Sequence, residues 1–183
     1  DDVKWDDGEQ VTGKDVVFSA KIMLCHLTNN SQIRPIYNSV IKSVKLDPNN
    51  PLKFSMTAQD INWTAKTILG GIYIQQKSYW DPNGLFDNIS FEQILDRSFE
   101  ETDELSDWFN DFNHADNGYK PENLKGLGPY YVSEWEPSQY VTLTRKENWW
   151  GTNDTLLDNK SYPEKIIFKI IKEDASSYLA LKN

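Results

Sequence analysis

The segment that decides the fold is residues 4–24, KWDDGEQVTGKDVVFSAKIML. It opens with an acidic turn around Gly8, where a glycine allows the positive φ angle of a tight turn. Thr12 follows as the predicted N-cap of a helix, with Asp15 three residues later as its capping-box partner. Apolar side chains then recur at helical spacing, at Val16, Ala20, Met23 or Leu24, and Leu27. We predict an amphipathic helix that ends in the polar run TNNSQ, residues 28–32.

The composition is that of a folded globular protein. Of the 183 residues, 38% are hydrophobic and 13% aromatic, which disfavours disorder, and the length suits one domain or one and a half. The net charge of −9 argues against nucleic-acid binding, which needs clustered lysine and arginine. No apolar run approaches the roughly 20 residues that cross a bilayer. Cys25 is the single cysteine, so no disulfide forms within the chain, and its apolar neighbours predict a buried thiol.

Strand signals appear in two parts of the chain. Residues 38–47 and 52–58 flank the turn PNNP and predict a hairpin; a short helix near Trp63 and a strand at residues 72–75, IYIQ, follow. Residues 129–135 and 139–145 predict another hairpin, and KIIFKII, residues 165–171, a further strand. The last segment, DASSYLALKN, predicts a helix with Asp174 as its N-cap.

The region between residues 80 and 125 has a different character. A turn-rich loop leads into acidic helices, which we expect to be exposed on their charged side. Leu105, Trp108, Phe109 and Phe112 share one helical face and predict a packing surface. Taken together, the elements predict an α+β fold with mixed sheets, hairpins and packed helices.

Three segments, in this order, resemble one known family. VKWDDGEQVTGKDVVFSAKIM, residues 3–23, is similar to the pattern W-x-D-G-x-x-x-T-A-x-D-V-x-F-S of extracellular solute-binding proteins of the peptide and nickel class. GLGPYYVSEWEPSQYVTLTRKENWWG, residues 126–151, resembles the family's G-T-G-P-Y stretch and the hairpin after it. Residues 162–183 resemble the strand and helix that follow. Gly13 and Leu127 depart from the pattern, which has Ala and Thr there, and residues 80–125 do not align.

The resemblance implies a protein with two lobes that close over a ligand. Residues 1–127 would be the smaller subdomain of the first lobe, and residues 128–183 the start of the return into that lobe's larger subdomain. The chain would then be an internal part of a longer protein. Its implied role is oligopeptide binding for an ABC importer, as a monomer that docks on the permease subunits. The implied location is the periplasm or the outer face of the cell membrane, with or without a lipid anchor.

Tyr37 is the candidate ligand-binding residue. In peptide-binding members of the family, an aromatic residue from the loop after the first helix approaches the ligand, and RPIYNS, residues 34–39, occupies that place here. The alternative is a tyrosine that only packs against the neighbouring hairpin. The resemblance leaves open whether the ligand is an oligopeptide, a dipeptide, a nickel chelate or an oligosaccharide.

Two other classes of function compete with transport. One is a carbohydrate-active enzyme, since carboxylates are abundant; but 28 acidic residues make chance pairs unavoidable, and no nucleophile or phosphate-loop motif occurs. The other is an envelope interaction module without a transport role. With one cysteine and two histidines, His26 on the first helix and His114 in a loop, a zinc site is not expected. We therefore expect no catalytic residues, no metal and no cofactor.

Overall fold

The computed structural model describes residues 3–60, 63–153 and 163–172. Within these residues the chain forms two compact units. One unit is Val11–His114, and the other combines the described parts of Asp1–Gln10 and Ala115–Asn183. Helices and small antiparallel sheets occur together, which confirms the predicted α+β class.

The Val11–His114 unit consists of helices around one β-hairpin. In chain order its elements are α1 (Gly13–Leu24), α2 (Arg34–Asn38), β1 (Ile41–Leu46), β2 (Phe54–Ala58), α3 (Ala65–Gly70), α4 (Lys77–Trp80), α5 (Phe91–Asp96) and α6 (Asp103–Phe112). The predicted hairpin is confirmed, since β1 and β2 pair antiparallel with Val44 opposite Met56. The predicted short helix is also present, as α3.

Helix α1 begins as the sequence predicts. The backbone N–H of Thr12 donates to Oδ2 of Asp15 at 2.8 Å, and the N–H of Lys14 donates to Oγ1 of Thr12 at 3.2 Å. Gly8 has the expected positive φ, at 87°. Gly13 stands where the family pattern has alanine because a Cβ there would lie 2.5 Å from Cδ1 of Leu46 and 3.1 Å from the carbonyl oxygen of Lys53. The absence of a side chain at Gly13 thus lets the start of α1 pack closely against the hairpin.

The core of this unit lies between α1, the β1–β2 hairpin and the acidic helices α5 and α6. Phe86 is its aromatic centre, with edge-to-face contacts to Phe18, Trp108 and Phe109 at centroid distances of 5.4, 4.9 and 5.7 Å. Such geometry adds about 0.5–1.5 kcal/mol per pair to the burial of the rings. The predicted packing face of α6 is confirmed, because Leu105 and Phe109 are buried. The indole N–H of Trp108 also donates to the carbonyl of Trp80 at 2.6 Å.

Two local predictions are wrong. Residues 72–75, predicted as a strand, form none; a side chain of α1, and not a partner strand, accepts the backbone N–H of Gln75, and α4 begins two residues later at Lys77. Gln75 N–H donates to Oγ of Ser19 at 2.7 Å, and Lys77 N–H donates to Oδ1 of Asp15 at 2.9 Å. Helix α1 also ends at Leu24, where the next residue is extended with ψ 133°, so His26 lies in the turn beyond the helix.

The other unit is built around a three-stranded antiparallel sheet. Its strands are β3 (Tyr130–Glu136), β4 (Tyr140–Arg145) and β5 (Lys165–Lys169), in the order β3–β4–β5. The predicted second hairpin and the following strand are therefore confirmed. The helix predicted from Asp174 lies outside the described residues. A search of the described helices for one long and apolar enough to span a bilayer found none.

The Asp15 carboxylate provides a test of how this unit is held together. Asp15→Ala removes the capping-box acceptor for Thr12 N–H and the acceptor for Lys77 N–H, so we expect the free energy of unfolding to fall by about 3 kcal/mol. Urea denaturation followed by circular dichroism measures the change. Asp107→Ala is the matched control, because Asp107 is an exposed acidic residue on α6. Equal effects of the two substitutions would contradict the role given to Asp15.

Candidate functional site

Tyr37 lies on α2, a short helix that starts with Arg34 and Pro35. Its ring is half-buried and packs against the core of the Val11–His114 unit. Its hydroxyl donates to the carbonyl of Gly71 at 2.9 Å, just beyond the end of α3. Tyr37 therefore packs against the core of its unit with part of its ring exposed, and its role in ligand binding stays a prediction.

Two other aromatic residues lie close to this contact in the chain. Trp63 comes just before α3 and is 91% exposed, and Tyr73 comes two residues after Gly71 and is 83% exposed. The six residues of α3 lie between them in the chain and span about 9 Å along the helix axis. Single exposed apolar residues are common on protein surfaces, whereas aromatic rings that cluster on one face can form a binding surface. We call Tyr37, Trp63 and Tyr73 the aromatic surface.

The sequence analysis did not select Trp63 or Tyr73. Both sit next to apolar runs, where an aromatic residue is more often buried. No periodic pattern in residues 63–73 distinguishes an inward from an outward ring, since α3 is short and residues 72–76 are irregular. Only the three-dimensional packing identifies them.

The other unit contains a cleft of about 930 Å³. It combines aromatic rings with charges of both signs, and we call it the tryptophan cleft. Its lining includes Lys4, Trp5, Asp6, Lys125, Tyr131, Arg145, Lys146 and Trp150. Much of this lining comes from the N-terminal acidic turn and from the stretch around GLGPYY, two of the segments that carried the family resemblance.

Hydrogen bonds within the tryptophan cleft explain why these motifs occur together. The indole N–H groups of Trp149 and Trp150 both donate to the carbonyl of Leu127, at 2.8 and 2.9 Å. Lys146 forms an ion pair with Asp6 and donates to the carbonyl of Gly126 at 2.9 Å. The motif residues thus bind one another, which indicates a scaffold rather than a set of free ligand-binding groups.

The titratable residues of the described part of the chain were compared with the requirements of a metal site. No group of three His, Cys, Asp or Glu side chains there is placed to hold a metal ion. Nε2 of His26 lies 2.9 Å from Oε1 of Glu101, and His114 lies in the loop after α6, as predicted. The predicted burial of Cys25 is confirmed, and that burial raises the pKa of its thiol.

A comparison with protein families identifies the scaffold. The sequence profile of the bacterial extracellular solute-binding proteins, family 5 Middle, matches residues 1–183. The chain belongs to this family. The resemblance drawn from the motifs is therefore confirmed. A comparison with curated protein sequences gives no match.

Solved structures of solute-binding proteins share this fold at low sequence identity. NikZ of Campylobacter jejuni, in complex with Ni(L-His), aligns with 100% of this chain at 24% identity and a TM-score of 0.65. AppA of Bacillus subtilis is an oligopeptide-binding protein solved in complex with a nonapeptide. It aligns with 98% of this chain at 18% identity and a TM-score of 0.64. CtaP of Listeria monocytogenes, an ABC transporter substrate-binding protein, aligns with 99% of this chain at 22% identity and a TM-score of 0.63.

This solute-binding protein chain is much shorter than the proteins it matches. It spans 29% of NikZ, 29% of AppA and 30% of CtaP. NikZ and AppA share this fold but were solved with different ligands, Ni(L-His) and a nonapeptide. Ligand identity therefore has to be argued from the side chains of this chain.

The hydroxyl of Tyr37 offers a test of how the solute-binding protein fixes its aromatic surface. Tyr37→Phe removes the bond to Gly71 and should lower the free energy of unfolding by about 0.5–1.5 kcal/mol. Tyr73→Phe is the control, because Tyr73 is 83% exposed and its hydroxyl makes no hydrogen bond to a described residue. Thermal unfolding of both variants measures the difference, and an unchanged midpoint for Tyr37→Phe would show that the bond is dispensable.

Proposed function

We propose that this chain is part of the substrate-binding component of an ABC importer and that it contributes to a binding cleft for oligopeptides. The membership in the solute-binding family supports a binding role. The similarity to AppA, solved with a nonapeptide, favours peptides as ligands. The observation that carries the peptide assignment in this chain is the aromatic surface, where the exposed Trp63 and Tyr73 flank in sequence the helix α3, whose end binds the hydroxyl of Tyr37.

Aromatic rings suit a binder that must accept many peptide sequences. A ring offers a large apolar area with few rotatable bonds, so it binds a side chain at small cost in conformational entropy. The peptide backbone would supply hydrogen bonds that are the same for every sequence. In this arrangement Tyr37 is the fixed member, because its hydroxyl is held by Gly71, and Trp63 and Tyr73 are the exposed members.

The rest of the proposed cycle follows from a two-lobed binding protein. Residues 1–127 belong to the smaller subdomain of the first lobe and residues 128–183 begin the larger one, while a second lobe supplies the opposite side of the cleft. Peptide binding shifts an existing equilibrium towards the closed form, which the permease subunits recognise. The protein acts as a monomer in the periplasm or on the outer face of the membrane, and it is not an enzyme.

The role of the aromatic surface is tested in the complete protein. We expect Tyr37→Ala combined with Trp63→Ala to weaken binding of a randomised nonapeptide pool about thirtyfold, because each truncated aromatic contact costs on the order of 1 kcal/mol. Calorimetry measures the affinity. Phe54→Ala is the control, since Phe54 is an exposed aromatic residue of the same unit on β2. Binding that is unaffected by the double substitution removes the aromatic surface from the ligand site.

The proposal of a two-lobed cleft gives a separate expectation for the 183-residue chain alone. Without the other side of the cleft, a peptide loses most of its contacts, so affinity should be too weak for calorimetry at micromolar concentration. Complete protein from the same preparation is the positive control. Micromolar binding by the isolated chain would show that its own surface suffices.

A further inference from the structure

A second concave site lies in the Val11–His114 unit, apart from the aromatic surface. It is a pocket of about 350 Å³ between α1, α4 and the turn before Asp87. Three lysines line it, Lys14, Lys21 and Lys77, together with Asp87 and the rings of Phe18 and Phe86. We call it the lysine pocket. It presents ammonium groups next to an apolar wall, and nothing in the proposed function uses it.

Lys21 is the unusual residue of the lysine pocket. Only 8% of it is exposed, and its ammonium donates to the carbonyl of Phe86 at 2.7 Å. An ammonium has three donors, and this carbonyl is its one acceptor in the described part of the chain. Buried lysines are normally paired with a carboxylate. None of the described carboxylates lies within ion-pair distance of Lys21.

The nearby carboxylates are already engaged elsewhere. Asp81 accepts the N–H groups of Leu85 and Phe86 at 2.7 and 3.2 Å, and it lies 3.4 Å from Nζ of Lys77. Asp87 lies 3.1 Å from the same Nζ. Lys77 therefore takes both acidic partners. Lys14, which is exposed, also has no ion-pair partner among the residues that the structure describes.

The electrostatics of Lys21 agree with a missing counter-charge. Burial lowers the pKa of its ammonium and is the largest influence on it. Asp87, Asp81 and Glu92 oppose this effect and Lys77 adds to it, yet the pKa remains below its ordinary value. The protein's own carboxylates thus do not compensate for the burial of this charge.

The positions of the two unpaired lysines fit a single anionic group. Lys14 and Lys21 lie seven residues apart on α1, which is about 10 Å along one helical face. Side chains of a helix lean towards its N-terminus, so that of Lys21 extends towards Lys14. Both lysines line the lysine pocket, and Phe18 and Phe86 border the same space.

We propose that the lysine pocket binds a monocarboxylate with a short apolar body, with its carboxylate between Lys14 and Lys21 and its apolar part against Phe18 and Phe86. A carboxylate supplies acceptors for the free donors of Lys21. The aromatic wall favours an apolar body, and the negative charge of Asp87 at the same pocket disfavours a doubly charged phosphate. The site does not depend on the importer function proposed above.

Nuclear magnetic resonance of lysine side chains in the complete protein tests the proposal directly. We expect butyrate to shift the Cε resonances of Lys14 and Lys21 with saturation, and to leave that of the exposed Lys66 unchanged. Butyramide has the same shape without the charge and should shift neither. Absence of a saturable butyrate shift overturns the proposal, and a larger response to inorganic phosphate overturns the assignment of the ligand class.

Two variants link the shifts to the pocket. Lys21→Met keeps the length of the side chain but removes its charge, and it should abolish the butyrate shift at Lys14. Lys66→Met is the matched control and should leave the shift intact. The butyrate titration of the unsubstituted protein tests the proposal without any variant, so it remains decisive even if Lys21→Met misfolds. A persistent Lys14 shift in folded Lys21→Met contradicts the shared site.

The source of the carboxylate is decided by a further titration. A carboxylate group can come from a small organic acid or from the C-terminus of a peptide. Acetyl-trialanine with a free C-terminus is compared with its C-terminal amide. Once butyrate shifts are established, larger shifts of Lys14 and Lys21 with the free tripeptide and none with its amide assign the pocket to chain termini, whereas no response to the free tripeptide assigns it to small acids.

Discussion

The Val11–His114 unit depends on one buried carboxylate. Asp15 uses Oδ2 to accept the N–H of Thr12 and Oδ1 to accept the N–H of Lys77, a residue 62 positions later in the chain. One side chain therefore starts α1 and fixes where α4 begins. The segment between them contains the hairpin, α3 and the bond from Tyr37 to Gly71.

Local features of the fold could be predicted from sequence because their causes are local. The Thr12–Asp15 cap, the hairpin around PNNP and the apolar face of α6 each arise from residues a few positions apart. Residues 72–75 were mispredicted as a strand because the N–H of Gln75 binds Ser19 and that of Lys77, where α4 begins, binds Asp15; both acceptors lie more than fifty residues away. A β-rich composition cannot reveal partners of that kind.

The candidate site was less accessible to sequence reasoning than the fold. Tyr37 came from a resemblance, and its part in ligand binding remains a prediction. The exposure of Trp63 and Tyr73 depends on packing around α3, which the sequence does not specify. The motifs that carry the family resemblance bind one another in the tryptophan cleft, as Lys146 does with Asp6. Family membership is therefore easier to recognise than the ligand.

Cys25, at the end of α1, gives the molecule an intrinsic reporter. Its side chain is fully buried and burial raises the pKa of the thiol, so the reactive thiolate is scarce in the folded state. A soluble alkylating reagent can reach the sulfur only when the helix end separates from the core. The rate of alkylation in native buffer thus measures how often that part of the protein opens, without any engineered label.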